Sequence, residues 1–163
     1  MTAPRVALCP GSFDPLTLGH EDIVRRALSF ADRVIVAVSH SPTTAKRGMF
    51  EVEERVEMIR EAFAAEPRVE AAAFQGLLVD LARERGAGLV VRGVRGVVDW
   101  EYESQMAVMN RRLLPTLETV VLPADPMHAH VSSTLVRQIA ALGGDVAPFL
   151  SPAVLRRVTE KVP

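Results

Sequence analysis

The sequence predicts an α/β fold built around a doubly wound parallel sheet, and three observations lead to this prediction. Short runs of β-branched and apolar residues without polar alternation are typical of strands buried on both faces. Segments with apolar residues at helical spacing follow these runs. The two kinds of segment alternate along all 163 residues, which predicts one domain, residues 1–163, with helices on both faces of the sheet and right-handed crossovers.

The individual elements follow from local patterns. Arg5–Cys9 is an apolar run that ends in a turn rich in glycine and proline, and a helix with a regular apolar stripe starts at about Gly19. Arg33–Val38 is a second buried strand, and the glutamates from Glu51 onward favour the positive end of the next helix. The remaining predicted elements are strands at 69–74, 89–91 and 119–122, and helices at 77–85, 100–114, 133–142 and 152–161.

Composition narrows the class of protein. The formal net charge of -1 argues against a broad nucleic-acid-binding face, which would normally make the chain basic. The one cysteine, Cys9, lies in an apolar run and suits a small buried residue better than a nucleophile. With no secretory signal and no run near the ~20 apolar residues that span a bilayer, a cytoplasmic protein without membrane partners is expected.

The segment after the first strand carries the strongest functional signal. In parallel α/β sheets, ligands bind beyond the carboxyl ends of the strands. There Gly11 allows close approach of the backbone to a ligand and Ser12 offers a hydroxyl, while Gly19 and His20 open a helix whose N-terminal amides attract anions. The pattern matches neither a Walker loop nor a GxGxxG fingerprint, so it indicates a phosphate site of another kind.

Two later segments also suit phosphate binding. Arg92 and Arg95 follow a strand in Arg92-Gly93-Val94-Arg95, where two guanidinium groups close together can clamp phosphates. Near the end of the chain, Ser132, Ser133 and Thr134 place hydroxyls at a predicted helix start. Alone, the hydroxyls would be ordinary helix caps, and the arginines an exposed basic turn.

These segments together resemble known motifs. Thr17-Leu18-Gly19-His20 resembles the T-x-G-H motif of the nucleotidyltransferase superfamily, and residues 131–137 resemble its I-S-S-T-x-x-R motif. The block 92–103, from Arg92-Gly93 to Asp99-Trp100-Glu101-Tyr102-Glu103, resembles the phosphopantetheine adenylyltransferases. The resemblance covers nearly the whole chain and implies a Rossmann-like nucleotidyltransferase fold.

The resemblance also implies the reaction and its residues. It implies transfer of an adenylyl group from ATP to 4'-phosphopantetheine, giving dephospho-coenzyme A, with Mg²⁺ carried by the phosphates, inhibition by coenzyme A and a homohexamer. The implied catalytic residues are His20 and Lys46, and the implied acceptor-binding residues are Ser12, Lys46, Leu78 and Arg92. The implied ATP-binding residues are Ser12, Phe13, His20, Gly93, Val94, Arg95, Glu103, His128, Ala129, His130, Val131, Ser132, Ser133 and Thr134.

Other functions are weighed against this one. A nicotinate mononucleotide adenylyltransferase is the alternative among enzymes, and a catalytically silent nucleotide-binding regulator is the alternative from another class. Two positions depart from the family pattern, Gly76 where an acidic residue is frequent and His128 where an aromatic residue is common. His128 and His130 lack a cysteine or acidic partner at suitable spacing, so a zinc site is disfavoured.

Overall fold

The computed structural model describes residues 4–40 and 48–162. Five parallel strands form one sheet in the order β3-β2-β1-β4-β5. The strands are β1 (Val6–Gly11), β2 (Arg33–Ser39), β3 (Val69–Phe74), β4 (Leu89–Val94) and β5 (Glu118–Pro123). The helices are α1 (Leu18–Ala27), α2 (Val52–Ala62), α3 (Leu78–Arg85), α4 (Val97–Leu113), α5 (Ser133–Ala141) and α6 (Pro152–Lys161), with a 3-10 turn at Ala147–Phe149.

The sheet is buried on both faces, as the apolar runs predict. Alternate residues of β1 and β2 point to opposite sides, so that Ala7 and Val36 join one core while Leu8 and Ile35 join the other. The first core also holds buried residues of α1, α2, α5 and α6, and the second holds buried residues of α3. The predicted doubly wound parallel sheet is confirmed.

Three element boundaries differ from the predictions in ways that affect the site. β1 extends to Gly11 rather than Cys9, and β4 extends to Val94 rather than Val91. Arg92, Gly93 and Val94 are therefore strand residues, since they pair in register with residues 121–123 of β5, and only Arg95 follows the strand. Helix α4 begins at Val97, three residues before the predicted start.

Helix α4 buries polar residues and exposes several large apolar ones. Its buried residues are Glu103 and Asn110, both polar. Its exposed residues include a large apolar set: Val97, Val98, Trp100, Tyr102, Met106, Val108, Met109 and Leu113. The space between α4 and the sheet is partly a cavity rather than a packed core, and Tyr102 and Met106 line that cavity. Within the described residues, no helix has the length and apolar character needed to span a membrane.

Candidate active site

Two adjoining cavities open at the carboxyl ends of the central strands. β1 lies between β2 and β4, so the chain reverses its direction of progress across the sheet at the β1–β4 pair. Ligands of open α/β sheets bind at this kind of switch point. The first cavity has a volume of about 380 Å³ and the second about 240 Å³. Pro10, Gly11, Arg92 and Glu103 line both, so these residues form the junction between the cavities.

The loop after β1 is shaped by a close contact between backbone and ring. A side chain on Gly11 would place its Cβ 2.9 Å from Cζ of Phe13, so the loop requires glycine at this position. Phe13 has a φ of 48° and is buried, with its ring edge-on to the ring of His20 at a centroid distance of 5.1 Å. Phe13 therefore forms part of the wall of the first cavity.

His20 is held in one orientation by Thr17, the residue that caps helix α1. The backbone N–H of Thr17 donates to Nδ1 of His20 at 3.0 Å, and the Thr17 hydroxyl lies 3.1 Å from the same nitrogen. The backbone N–H of His20 donates in return to the Thr17 hydroxyl at 3.4 Å. Because Nδ1 accepts a hydrogen bond, we assign the ring hydrogen to Nε2, which has no protein partner among the described residues.

The imidazole of His20 is neutral at physiological pH. Burial, and to a smaller extent the positive charges of Arg92 and Arg95, together lower its pKa from 6.5 to about 4. His20 lines the first cavity. It therefore offers the cavity an uncharged Nε2–H donor rather than a positive charge.

Among the described residues, positive charge in the first cavity comes from three arginines instead. Arg92, Arg95 and Arg137 all line it. Arg95 pairs with Asp99 at 3.1 Å, and Arg92 pairs with Glu103 at 2.6 Å. Arg137 lies 3.8 Å from the Asp14 carboxylate and also donates to the Asp14 carbonyl oxygen. Guanidinium groups held by such partners are suited to bind phosphates without large rearrangement.

The start of helix α5 closes the first cavity opposite β1. The Ser132 hydroxyl caps the helix by accepting from the backbone N–H of Leu135 at 3.2 Å. The Ser133 hydroxyl donates to the carbonyl oxygen of Pro15 at 2.7 Å, which ties this turn to the loop after β1. The hydroxyls thus have structural partners, while the N-terminus of the helix faces the cavity, where its dipole favours an anion.

Gly93 allows α1 to pack directly against β4. A Cβ at this position would lie 2.9 Å from Cγ1 of Ile23. Both residues line the first cavity, so glycine here brings the His20 helix close to the strand that carries Arg92. The contribution of Gly93 is therefore close packing between strand and helix.

The second cavity lies between helix α4 and the sheet and is mostly apolar. Leu78, Tyr102, Met106, Ala107 and Val90 supply apolar surface. Besides Arg92 and Glu103, the polar residues Ser39, Asn110 and Thr119 line it; Asn110 is buried, and Oγ1 of Thr119 is buried without a hydrogen-bond partner in the described part of the chain. Such a lining suits a flexible ligand with both apolar and amide character.

The structure brings together most of the residues singled out from the sequence. Those that line the first cavity are Ser12, Phe13, His20, Arg92, Gly93, Arg95, Glu103, His128, Val131, Ser132, Ser133 and Thr134, and Leu78 lines the second. Val94, Ala129 and His130 line neither cavity, and the exposed His130 packs edge-on against Phe149 at 6.1 Å. Lys46 lies outside the described residues.

Thr17 and Arg137 line the first cavity and Asp14 contacts Arg137, and none of these three residues is among the site residues predicted from the sequence. Thr17 orients His20, and its spacing of three residues from His20 at a helix start could have indicated a capping pair. Arg137 completes the arginine set and lies inside the motif already noted. Asp14 is buried, and its carboxylate accepts from the backbone N–H groups of residues 49 and 50 at 2.9 Å each. No local pattern predicts that last role, because the partners are more than 30 residues away.

Cys9 and the histidines show little sign of nucleophilic or metal chemistry. Cys9 is 4% exposed, and burial raises the pKa of its thiol to about 12, against a smaller lowering by Arg92. A thiol with this pKa is not ionised at neutral pH and does not act as a nucleophile. In the described ranges, residues 4–40 and 48–162, no three His, Cys, Asp or Glu side chains cluster as metal ligands.

Comparisons with known proteins show which family the chain is similar to. Residues 8–139 match the cytidylyltransferase-like family. The phosphopantetheine adenylyltransferase of Thiobacillus denitrificans is 49% identical over 156 residues, covering 96% of both chains. The phosphopantetheine adenylyltransferase of Aromatoleum aromaticum is 50% identical over 157 residues, covering 96% of this chain and 95% of that one.

A comparison of structures supports the fold. A bifunctional NMN adenylyltransferase/ADP ribose pyrophosphatase from Francisella tularensis, complexed with AMP and a Mn ion, superposes with a TM-score of 0.73. The match covers 97% of this chain and 49% of that one, at 15% identity. At this identity the match shows a shared fold and nothing more specific. The Rossmann-like nucleotidyltransferase fold is confirmed.

Proposed function

The chain belongs to the phosphopantetheine adenylyltransferases, which are nucleotidyltransferases, and we propose that it reversibly transfers an adenylyl group from ATP to 4'-phosphopantetheine. The products are dephospho-coenzyme A and pyrophosphate. The observation that carries the proposal is the junction between the two cavities. An arginine-lined cavity suited to a nucleotide meets a largely apolar cavity suited to a flexible arm, and Arg92 lies where they join.

ATP occupies the first cavity in this proposal. The volume of about 380 Å³ falls within the range of small-molecule sites. Arg95, Arg137 and the start of α5 hold the β- and γ-phosphates, while the α-phosphate lies near His20. Contacts from Val94, Ala129 and His130 stay predictions from the resemblance, since their side chains do not line the cavity.

The acceptor places its phosphate at Arg92 and Ser12 and its arm in the second cavity. Leu78, Tyr102 and Met106 supply apolar contacts along the arm, and Asn110 lies within reach of the cavity as a polar partner. This arrangement points the two phosphates toward each other across the junction. The second cavity favours 4'-phosphopantetheine over nicotinate mononucleotide as the acceptor, because the planar ring of the mononucleotide would not fill a long apolar cavity.

The reaction then needs positioning and charge stabilisation more than acid–base chemistry. The acceptor phosphate is mostly ionised near neutral pH, because its second pKa is about 6. One of its oxygens attacks the α-phosphorus of ATP in line, and the bond from that phosphorus to the bridging oxygen breaks as pyrophosphate leaves. No covalent enzyme intermediate forms. The Nε2–H of His20 donates to an α-phosphate oxygen as charge develops there.

Lys46 is assigned a second charge-stabilising role by the resemblance alone. Mg²⁺ bound to the phosphates of ATP would neutralise further phosphate charge. The lining fits this mode of binding, because the two carboxylates among its described residues, Asp99 and Glu103, are each paired with an arginine. A metal carried mainly by phosphate oxygens and water is therefore expected.

Assembly and regulation complete the proposal. The exposed apolar face of α4 is large for a monomer, and a second copy of the chain is the partner that would cover it. We propose a homohexamer, the state that the resemblance implies. Inhibition by coenzyme A and a cytoplasmic location are proposed on the same ground, as is the treatment of residues 1–163 as one domain.

The decisive experiment offers the protein several acceptors. Wild-type protein with Mg-ATP is incubated separately with 4'-phosphopantetheine, pantetheine and nicotinate mononucleotide, and the products are identified by mass spectrometry. We expect dephospho-coenzyme A from the first acceptor and little product from the others. Arg92→Ala is expected to raise KM for the acceptor far more than KM for ATP, while Arg33→Ala, an exposed arginine outside both cavities, serves as control. Comparable turnover of pantetheine would refute the acceptor site.

A further inference from the structure

The buried carboxylate of Asp14 lies beside Arg137, one of the three arginines of the first cavity. Asp14 is 5% exposed. Each of its carboxylate oxygens accepts one backbone hydrogen bond, Oδ2 from Met49 and Oδ1 from Phe50, at 2.9 Å each. Backbone N–H groups carry no net charge, so they satisfy the oxygens without neutralising the carboxylate. A carboxylate buried in this way also needs a positively charged partner.

Two arginines face this carboxylate, one at each oxygen. Nε of Arg55 lies 3.5 Å from Oδ1, and Nη1 of Arg137 lies 3.8 Å from Oδ2. Both distances exceed the roughly 2.7–2.9 Å of a charge-assisted hydrogen bond. Each guanidinium donates to a backbone carbonyl instead, Arg55 to Phe50 at 2.8 Å and Arg137 to Asp14 itself. Among the described residues, two positive charges therefore share one negative charge.

The two arginines differ in their access to the first cavity. Arg137 lines this cavity, and its side chain is 33% exposed. Arg55 lines neither cavity, and its side chain is 13% exposed. Nη1 of Arg55 also donates to the carbonyl oxygen of Ser12 at 3.3 Å, which fixes the guanidinium next to the loop after β1. Arg55 is thus a buried charge beside Asp14, whereas Arg137 faces the space for a ligand.

Glycine at position 48 allows Arg55 and Asp14 to approach each other. A Cβ at this position would lie 2.5 Å from Nη2 of Arg55 and 2.5 Å from Oδ2 of Asp14. Any larger residue would therefore displace the guanidinium, the carboxylate or both. The chain leaves this place free of a side chain, so that none from this position separates the two charged groups.

We propose that Arg55 is a positioning residue for ATP, because it acts as the counterion of Asp14 and thereby leaves Arg137 free to bind the ATP phosphates. The inference rests on the proposed function, in which Arg137 holds the β- and γ-phosphates. Without Arg55, Arg137 is the remaining cation beside Asp14 among the described residues, and a shift of about 1 Å would bring the two into a direct ion pair. ATP would then have to compete with the carboxylate for the guanidinium of Arg137.

The test replaces Arg55 with glutamine, which keeps a polar side chain but removes its charge. Arg55→Gln is expected to raise KM for ATP about tenfold, the scale of a lost hydrogen bond to a charged group. Isothermal titration with ATP alone is expected to show the same loss of affinity. KM for 4'-phosphopantetheine and kcat are expected to stay within about threefold of wild type, since binding of ATP is affected and the chemical step is not. Arg60→Gln, at an exposed arginine of the same helix outside both cavities, is the matched control.

Three further variants separate a counterion from a structural contact, with folding checked by thermal unfolding. Arg55→Lys keeps the charge but not the planar set of donors, and its KM for ATP is expected to stay within about threefold of wild type. In Arg55→Gln/Asp14→Asn the charge that would attract Arg137 is absent, so KM for ATP is expected to fall below that of Arg55→Gln. In Arg55→Gln/Arg137→Ala, KM for ATP is expected to equal that of Arg137→Ala, because Arg55 acts only through Arg137.

Several results would overturn the inference. An equal rise in KM for both substrates would mean that Arg55 acts through the loop that carries Ser12. Should Arg55→Gln not fold, Arg55→Lys decides, because a KM for ATP about tenfold above wild type with the charge retained would exclude the counterion role. Failure of the wild type to adenylylate 4'-phosphopantetheine would reject the proposed function, and titration with ATP would still test this inference. Normal wild-type turnover with an unchanged KM for ATP in Arg55→Gln would reject this inference alone.

Discussion

Replacing His20 by alanine tests the centre of the proposed mechanism. The imidazole is neutral and is held by Thr17, so its contribution comes from one Nε2–H donor aimed into the first cavity. A donor of this kind acts mainly in the transition state, and loss of a comparable oxyanion donor lowers kcat about 10²- to 10³-fold, or roughly 3–4 kcal/mol. Since ground-state binding depends mostly on the arginines, the affinity for ATP is expected to stay within about threefold of wild type.

The structure also gives the expected cost in stability. The variant loses the hydrogen bond from the Thr17 backbone to Nδ1, worth about 1 kcal/mol, and the edge-on contact with Phe13, worth about 0.5–1.5 kcal/mol. A loss of about 2 kcal/mol leaves a domain with typical stability folded. The drop in kcat is therefore expected in a folded protein.

The assay measures pyrophosphate release at saturating Mg-ATP and 4'-phosphopantetheine, with ATP affinity from isothermal titration and folding from thermal unfolding. His40→Ala is the matched control, because His40 is exposed and lines neither cavity. A folded His20→Ala protein with kcat within fivefold of wild type would refute the assignment of His20 as a transition-state donor. A large loss of ATP affinity would assign His20 to ground-state binding instead.

Three further predictions follow from the same contacts. The folded-state pKa of His20 is about 4, below its usual 6.5, so protonation favours the unfolded chain. The free energy of unfolding is therefore expected to fall by at most ~3 kcal/mol as pH drops from 6.5 toward 4. In urea unfolding measured at several pH values, His20→Ala is expected to lack this component. Asp14→Asn removes the charge of a buried carboxylate that binds two backbone N–H groups and lies near two arginines. Urea unfolding is expected to show that the free energy of unfolding falls by about 3 kcal/mol, and a decrease below about 1 kcal/mol would contradict the role of this network. Met109→Asp places a charge on the exposed apolar face of α4. The mass measured by light scattering is expected to fall from about six times 17.8 kDa toward the mass of the monomer, and a monomeric wild type would contradict the assembly.

Local sequence patterns predicted most elements of the fold correctly. β2 and β3 were predicted almost to the residue, because continuous β-branched or apolar runs are typical of strands buried on both faces. The boundary of β4 was wrong because Arg92 and Gly93 have the composition of a turn, yet their backbone pairs with β5. Tertiary pairing overrode a weak local preference in that segment.

The candidate site also combines features that local sequence patterns predict with features that depend on the folded structure. His20 and the motif around it could be found from sequence, because the glycines, the hydroxyls and the helix start are close together along the chain. The role of Asp14 could not, since its partners at residues 49 and 50 become neighbours only after folding. The neutral state of His20 also depends on burial and on Arg92, which is 72 residues away in sequence.

By itself the sequence determined the fold class, the family and many of the cavity-lining residues, because these depend on periodicity and on motifs that are local. Only the tertiary structure decided that two cavities meet at Arg92, that Glu103 is paired with Arg92, and that α4 buries Glu103 and Asn110 while several of its large apolar residues stay exposed. These features depend on distances between segments far apart in the chain. Hydrogen bonds and charge interactions act over a few ångströms, and only the folded chain brings such groups within that range.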